Sequence, residues 1–512
     1  MKLNKILLAL FFLLGFSLRV IRLDDLPSIL NRDEAALAYN AFLIKETGMD
    51  EWQAKLPLTF KSFGDYKLPG YPYLLAFLFN FLPSNDFVTR LPSALAGSLL
   101  IVLAFYFAKE VLKIKNSSAL LLSLLIALNP VFFFYSRIAF EANLALLLFV
   151  ASLFFSLRTK KNYYLAAILM FLAILTYNTP LLLLPFILPL IVWQEGLRKY
   201  KSWLLPFTLF VAIFLFGFFN FYALVNQKSG ITVFNDQSLW QDFAFYRQSV
   251  PENLRTVFAN KYLFYGKEIG KNFLESFSLD FLVTKGGTHP WHSLPATGHL
   301  FYLTYFLAIL MMIDLLGELL ISSNDKKLRK RNLLCLYLAI IALAPSVVTV
   351  DSPHATRSLF FFFMLACLAA IFTDKLTTIF SRQKNIILIL IFSILAIESY
   401  FYCSKYFLSY PKNQPISLFS EYKNLLFEAE KDYPNQEIAV IDEGGYQYIL
   451  TAWYLKLPSS DFFSTIKYQD ADAINFYYGE RLLNYHFIKS LADRSSEEKI
   501  ILDQKLGLIK YE

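Results

Sequence analysis

The sequence predicts an α-helical polytopic membrane protein of about eleven spans, with a small α/β domain outside the membrane at its C-terminal end. Three observations carry this. Only 17% of the 512 residues are charged and 56% are hydrophobic, where a soluble chain is about 25% charged. Runs such as Ile6–Phe16, Leu99–Ala108 and Leu204–Phe221 are too apolar for a wetted surface. After Pro411 the pattern changes, and short amphipathic stretches replace the long apolar runs.

A helix that crosses the hydrocarbon core needs roughly 20 mostly apolar residues. Runs of that kind fall at 5–21, 87–108, 118–135, 141–157, 162–179, 181–195, 203–224, 299–320, 332–350, 356–373 and 385–402. The 181–195 run is the shortest, and Pro185 and Pro189 interrupt it. The N-terminus resembles a signal peptide, but Phe16-Ser17-Leu18-Arg19 offers no small-residue cleavage site, so the first run is read as an uncleaved helix.

Loop charges set the orientation, because Lys and Arg concentrate on the cytoplasmic side. With Lys2 and Lys5 inside, the alternate loops hold Lys109, Lys113 and Lys115; Arg158, Lys160 and Lys161; Arg198, Lys199 and Lys201; Lys326 through Arg331; and Lys375, Arg382 and Lys384. Five independent loops agree. The expectation is therefore a multi-pass protein of the plasma (inner) membrane with a cytoplasmic N-terminus. The long segments 22–86 and 226–298 and the tail 403–512 are then extracytoplasmic, and 1–402 forms the membrane domain. The apolar stretch from Leu68 to Phe81 is too short to cross and is bracketed by prolines, which suits an interfacial helix on the outer leaflet.

In the tail, 416–432 reads as an amphipathic helix, Glu437–Asp442 as a strand ending in Glu443-Gly444-Gly445, and Tyr446–Leu457 as a second helix. The net charge of +8 needs no nucleic-acid partner, since orienting loops account for it. Cys335, Cys367 and Cys403 have neither disulfide nor metal-ligand spacing.

The residues that could carry chemistry lie on the outer side. Asn31-Arg32-Asp33-Glu34 opens the first loop with two adjacent carboxylates. They suit either a solvated helix start or a general base that takes a proton from an acceptor hydroxyl. Asp65-Tyr66-Lys67 enters the interfacial helix, where a lysine either snorkels or meets a lipid phosphate. Arg137 and Glu141 stand four apart in the turn after Tyr135, as an ion pair on a continued helix or as site residues. His354 and Arg357 begin a span, as an anchor or an anion site. His289, His292 and His299 sit in an aromatic loop, where packing is the simpler reading than a metal. Asp314 and Glu318 are the ionisable residues to watch for transport through the membrane.

Together these stretches resemble a known family. An apolar helix precedes the Asp33-Glu34 pair. Lys67-Leu68-Pro69-Gly70-Tyr71 and Arg90-Leu91-Pro92-Ser93-Ala94 follow, and then Ser136-Arg137, with Glu141-Ala142-Asn143 after three intervening residues. The set is similar to the GT-C glycosyltransferases of the protein O-mannosyltransferase and aminoarabinose transferase type, most clearly over 1–200. In one departure, Lys67-Leu68-Pro69 stands where relatives often read Lys-Pro.

The resemblance implies inverting transfer of a sugar from a polyprenyl-phosphate donor to an acceptor hydroxyl on the extracytoplasmic face. That acceptor is a protein, a lipid or a polysaccharide. Asp33 and Glu34 become the catalytic carboxylates, with Asp33 the base. Lys67, Arg137, Arg357 and His354 become donor-phosphate ligands, and Asp65, Tyr66, Glu141 and His292 line the site. No cofactor, metal or nucleic acid enters this scheme; membrane lipids and the lipid-linked donor are the expected partners. A lipid-linked glycan flippase, or a glycan ligase or polymerase on the same fold, are the alternatives.

Overall fold

The computed structural model describes residues 2–63, 65–196, 200–221, 230–287, 291–320, 326–412, 421–434, 436–472 and 476–510. The chain divides into two compact units. The first contains Met1–Arg19, Ser93–Ser136 and Glu141–Tyr406; the second contains Val20–Pro92, Arg137–Phe140 and Phe407–Glu512.

The first unit is helical, and the chain is a multi-pass membrane protein. Among the described residues of the whole chain, 6 helices are long and apolar enough to cross a membrane, and shorter apolar helices lie at Asn116–Leu128, Glu141–Leu157, Tyr163–Thr176 and Thr179–Trp193. The Leu359–Ile379 helix is buried without a break from Leu359 to Ile371, as an all-round apolar sequence requires. The Tyr302–Leu320, Asn116–Leu128 and Lys326–Ile341 helices pack on it.

Two expected spans are broken by proline. The 118–135 run becomes Asn116–Leu128 and Pro130–Tyr135, and the 332–350 run becomes Lys326–Ile341 and Ala344–Val347. Pro130 has no amide hydrogen to give the Ile126 carbonyl, and the Val131 amide donates to the His299 carbonyl instead of to Ala127. The freed carbonyls find a cation. The buried Arg19 guanidinium donates to Ile126 O and Ala127 O at 3.0 Å each, and to Gly15 O at 2.9 Å. Asn129 secures the same break: its Oδ1 accepts from Phe301 N and Thr304 Oγ1.

Asp314 and Glu318 are ion-paired. Lys375 Nζ reaches Asp314 Oδ2 at 2.5 Å and Glu318 Oε1 at 3.0 Å. These carboxylates therefore have a structural partner, which accounts for their presence without a transport path.

The second unit joins the first loop to the tail. Residues 413–420, which include the start of the expected 416–432 helix, lie outside the described residues; the helix that follows is Tyr422–Asp432. The expected strand and second helix appear as Ile438–Ile441, within a six-stranded sheet, and as Gln447–Tyr454. In the loop, β1 (Phe60–Ser62) and β2 (Asp65–Lys67) form a hairpin. The tail strands are β3 (Ile438–Ile441), β4 (Lys467–Tyr468), β5 (Gly479–Leu482), β6 (Tyr485–Ile488), β7 (Ile500–Asp503) and β8 (Gly507–Lys510), in the order β4-β5-β6-β3-β7-β8. β3 runs parallel to both neighbours, and the outer pairs are antiparallel.

Aromatic and polar contacts hold loop and tail together. Trp52 stacks on Tyr468 with centroids 4.3 Å apart, and Phe63 meets Tyr446 edge-on at 4.8 Å. The buried Asp86 carboxylate accepts from Trp453 Nε1 at 2.8 Å and Tyr454 OH at 3.1 Å. Buried Glu51 accepts from Tyr448 OH at 2.9 Å and Asn40 Nδ2 at 3.0 Å.

Burial pushes Glu51 up to about 7, against the smaller opposing pull of Asn40 and Tyr448. Burial likewise raises Asp442 to about 6, although backbone amides at the turn oppose it. Because the folded forms hold their protons to higher pH than the unfolded chain, the contribution of these two groups to stability is greatest below pH 4 and falls as pH rises to about 7. For Glu51 the loss is about 3 kcal/mol. Thermal unfolding of the second unit is therefore expected at higher temperature at pH 5 than at pH 8. In Glu51→Gln that difference shrinks, and an unchanged slope in the variant would remove Glu51 as its source.

Candidate active site

The local sequence builds the first half of the site in the second unit. Asn31 caps the Arg32–Thr47 helix: its Oδ1 accepts the Asp33 and Glu34 amides at 2.9 and 3.1 Å, while Glu34 reaches back to the Asn31 amide. This capping box fixes the first turn and sends the two carboxylates in different directions. Asp33 keeps 27% of its side chain exposed, whereas Glu34 keeps 1%.

Lys67 closes β2, opposite Phe60, just before the Gly70–Leu78 helix. Its Nζ lies 2.7 Å from Asp33 Oδ1, and its side chain is 9% exposed. The structure thus brings Asp33 and Lys67, 34 residues apart, into one charge-assisted hydrogen bond. The lysine sits inward and the carboxylate reaches the surface.

Glu34 is fully engaged elsewhere. Its oxygens accept from Arg90 Nε at 3.0 Å, from the Ala139 amide at 2.7 Å and from the Asn31 amide at 3.0 Å. Arg90 is wholly buried and also donates to the carbonyls of Leu23, Pro27 and Ile29 at 3.0, 2.8 and 2.7 Å. The sequence reading gave Arg90 no role. The available signal was a single cation set a turn inside an apolar run.

Arg137, expected near a phosphate, is buried and donates to the Arg22 and Leu26 carbonyls at 3.1 Å. The continued helix imagined for Arg137 and Glu141 does not form: one helix ends at Tyr135 and the next begins at Glu141, with a turn between them. Glu141 is buried at that helix start. Tyr66 is half-buried in β2, and Asp65 occupies the register position opposite Ser62.

The remaining candidates lie in the first unit. His292 Nδ1 and Tyr135 OH share a hydrogen bond of 2.9 Å, and the same hydroxyl meets Thr356 Oγ1 at 2.9 Å. The His292 and His354 rings are 4.9 Å apart, edge to face. Arg357 pairs with Asp351 and donates to Thr349 Oγ1 at 2.9 Å. This draws His292 and His354 into one polar cluster with Tyr135 and Thr356, to which the sequence assigns no role, and Asp351 links His354 to Arg357. His299 packs separately, against Phe281 and Phe362. His289 lies outside the described residues.

Comparison with solved structures shows which known folds this chain shares. The chain superposes on the archaeal oligosaccharyltransferase AglB from Archaeoglobus fulgidus, in complex with an inhibitory peptide and a dolichol-phosphate. The TM-score is 0.53 at 13% identity, covering 88% of this chain and 63% of that one. It also superposes on ArnT from Cupriavidus metallidurans bound to undecaprenyl phosphate, with TM-score 0.51 at 12% identity, covering 89% and 86%. Residues 67–220 match the family model described as dolichyl-phosphate-mannose-protein mannosyltransferase. No curated protein matches the chain in sequence. The family match, which begins at Lys67, and the fold agree with the GT-C resemblance.

Proposed function

We propose that this protein is an inverting glycosyltransferase that moves a sugar from a polyprenyl-phosphate-linked donor to an acceptor hydroxyl on the extracytoplasmic face. The observation that carries the reading is the Asp33–Lys67 pair, a half-exposed carboxylate bonded to an inward lysine at 2.7 Å. The dolichol-phosphate and undecaprenyl phosphate named for the two matched structures support the donor class.

The acceptor oxygen attacks the anomeric carbon from the face opposite the phosphate. The bond from that carbon to the phosphate oxygen breaks, and its electron pair leaves with the polyprenyl phosphate. Asp33 takes the acceptor proton, and Lys67 stabilises the charge gathering on the leaving phosphate. A phosphate leaves readily, so one essential carboxylate suffices, in contrast to the acid and base pair of soluble inverting hydrolases.

Glu34 then acts as a positioning residue: bonded to Arg90, Ala139 and Asn31, it fixes the helix turn from which Asp33 projects. Arg137 holds the loop carbonyls of Arg22 and Leu26 in the same way.

The test is incubation of purified protein with defined polyprenyl-phosphate sugars, following release of free polyprenyl phosphate. Release with at least one sugar is expected; none across mannose, glucose, galactose and aminoarabinose donors would sink the reading. Lys67→Met is expected to lower kcat/KM for the donor by about 100-fold, the worth of one charged hydrogen bond. Lys67→Arg recovers part of it. Unchanged donor kinetics in Lys67→Met would remove Lys67 from the site.

A further inference from the structure

We propose that the tail and the first loop together form a saccharide-binding seat beside Asp33, from Tyr446 and Tyr478 of the tail and Arg32 of the loop. The seat rests on the transferase reading only in being assigned to the acceptor. Its geometry stands within the second unit alone.

The topology selects the place. β3 has parallel neighbours on both sides, β6 and β7, so the chain leaves its carboxyl end at the point where the strand order reverses. Open α/β sheets bind ligands outside the carboxyl ends of strands at such a point. Here that end is Asp442-Glu443-Gly444-Gly445-Tyr446, which leads into the Gln447–Tyr454 helix.

The turn is fixed in an unusual way. The buried Asp442 carboxylate accepts the Gly445 amide at 2.6 Å and the Gln447 amide at 2.7 Å. Gly445 has a φ of +74°, and a Cβ there would lie 2.2 Å from the Tyr478 ring. Only glycine allows that approach, and it lets Tyr478 pack on the turn, edge-to-face with Tyr446 at 5.7 Å.

The result is an aromatic pair with a cation against one face of each ring and Asp472 at the Tyr478 hydroxyl. The Arg32 guanidinium lies 4.1 Å over the Tyr446 ring, one residue before Asp33, whose charge reaches the Tyr446 phenol. Tyr478 OH donates to Asp472 Oδ2 at 2.8 Å, and Lys489, just past β6, lies 5.9 Å over the Tyr478 ring. Both tyrosines are half-buried.

A sugar ring has this complementary character, with apolar C–H faces that stack on aromatics and hydroxyls around its edge for charged donors and acceptors. A peptide acceptor docking by strand addition would need an open sheet edge. β3 is interior, and the edges are β4 and β8.

Saturation-transfer NMR on the full-length protein in detergent, without donor, tests this. The probes are maltotriose, chitotriose, a glucuronate-containing trisaccharide and a Ser/Thr-rich peptide. Transfer to at least one saccharide is expected, with Kd raised about tenfold in Tyr446→Ala and changed less than about threefold in Tyr446→Phe, which keeps the ring. Saccharide transfer unchanged in Tyr446→Ala, transfer to the peptide alone, or transfer to no saccharide would overturn the seat. Since no donor is present, a protein that binds saccharide yet releases no polyprenyl phosphate keeps the seat and loses the transferase reading. One that releases polyprenyl phosphate and binds no saccharide does the reverse.

Discussion

Asp33→Asn is expected to lower sugar transfer by at least about 1,000-fold, within the range that a positioned general base supplies. The asparagine oxygen can still accept from Lys67, so the 2.7 Å contact survives with one charge removed. The helix cap is also untouched, because Asn31 and Glu34 make it without the Asp33 side chain. Expression, thermal stability and donor binding should therefore stay near the wild-type level while turnover disappears. That split separates a base from a structural carboxylate, which would lower stability and activity together. Wild-type turnover in this variant would exclude Asp33 as base. The reciprocal variant, Glu34→Gln, should keep a larger share of kcat, since Glu34 acts through the helix turn and touches no substrate.

Much of this centre was legible in the residues, but its wiring was not. Asp33 and Lys67 stood out because charges at a membrane surface are costly without a use. Their pairing depends on the β1–β2 hairpin turning Lys67 back over 34 residues, and no local pattern encodes it. The capping box was half visible in Asn31 and Glu34. Its buried partner Arg90 was hidden in a span that reads as apolar on average.

The helix breaks at Pro130 and Pro345 fall inside runs expected to be continuous spans, although the amide that proline lacks is a local signal for them. The union of first loop and tail has no such signal: Trp52 meets Tyr468, and Glu51 meets Tyr448, across some 400 residues of sequence. Aromatic residues in both segments look like interface anchors until the contact is seen. Glu443-Gly444-Gly445 was read only as the end of a strand, and its meaning comes from the parallel neighbours on either side of β3.

Arg90→Met should be the most damaging substitution in the second unit. Arg90 is fully buried and its guanidinium serves four groups at once: Glu34 and the carbonyls of Leu23, Pro27 and Ile29. Removing it leaves the Glu34 carboxylate buried without a counter-charge, which costs about 3–5 kcal/mol, and also orphans three carbonyls. For a domain with total stability near 5–15 kcal/mol, that is enough to lose most of the folded population. Arg90→Lys keeps the charge but cannot reproduce the fork, so it should fall between wild type and Arg90→Met. The double variant Glu34→Met/Arg90→Met removes the unpaired charge and should recover part of the loss. It should not recover all of it, because the Ala139 and Asn31 amides then lose the acceptor they share. Protease accessibility and thermal melts of the four proteins test the order. If Arg90→Met were as stable as wild type, the buried pair would not be what holds the Asp33 turn in place.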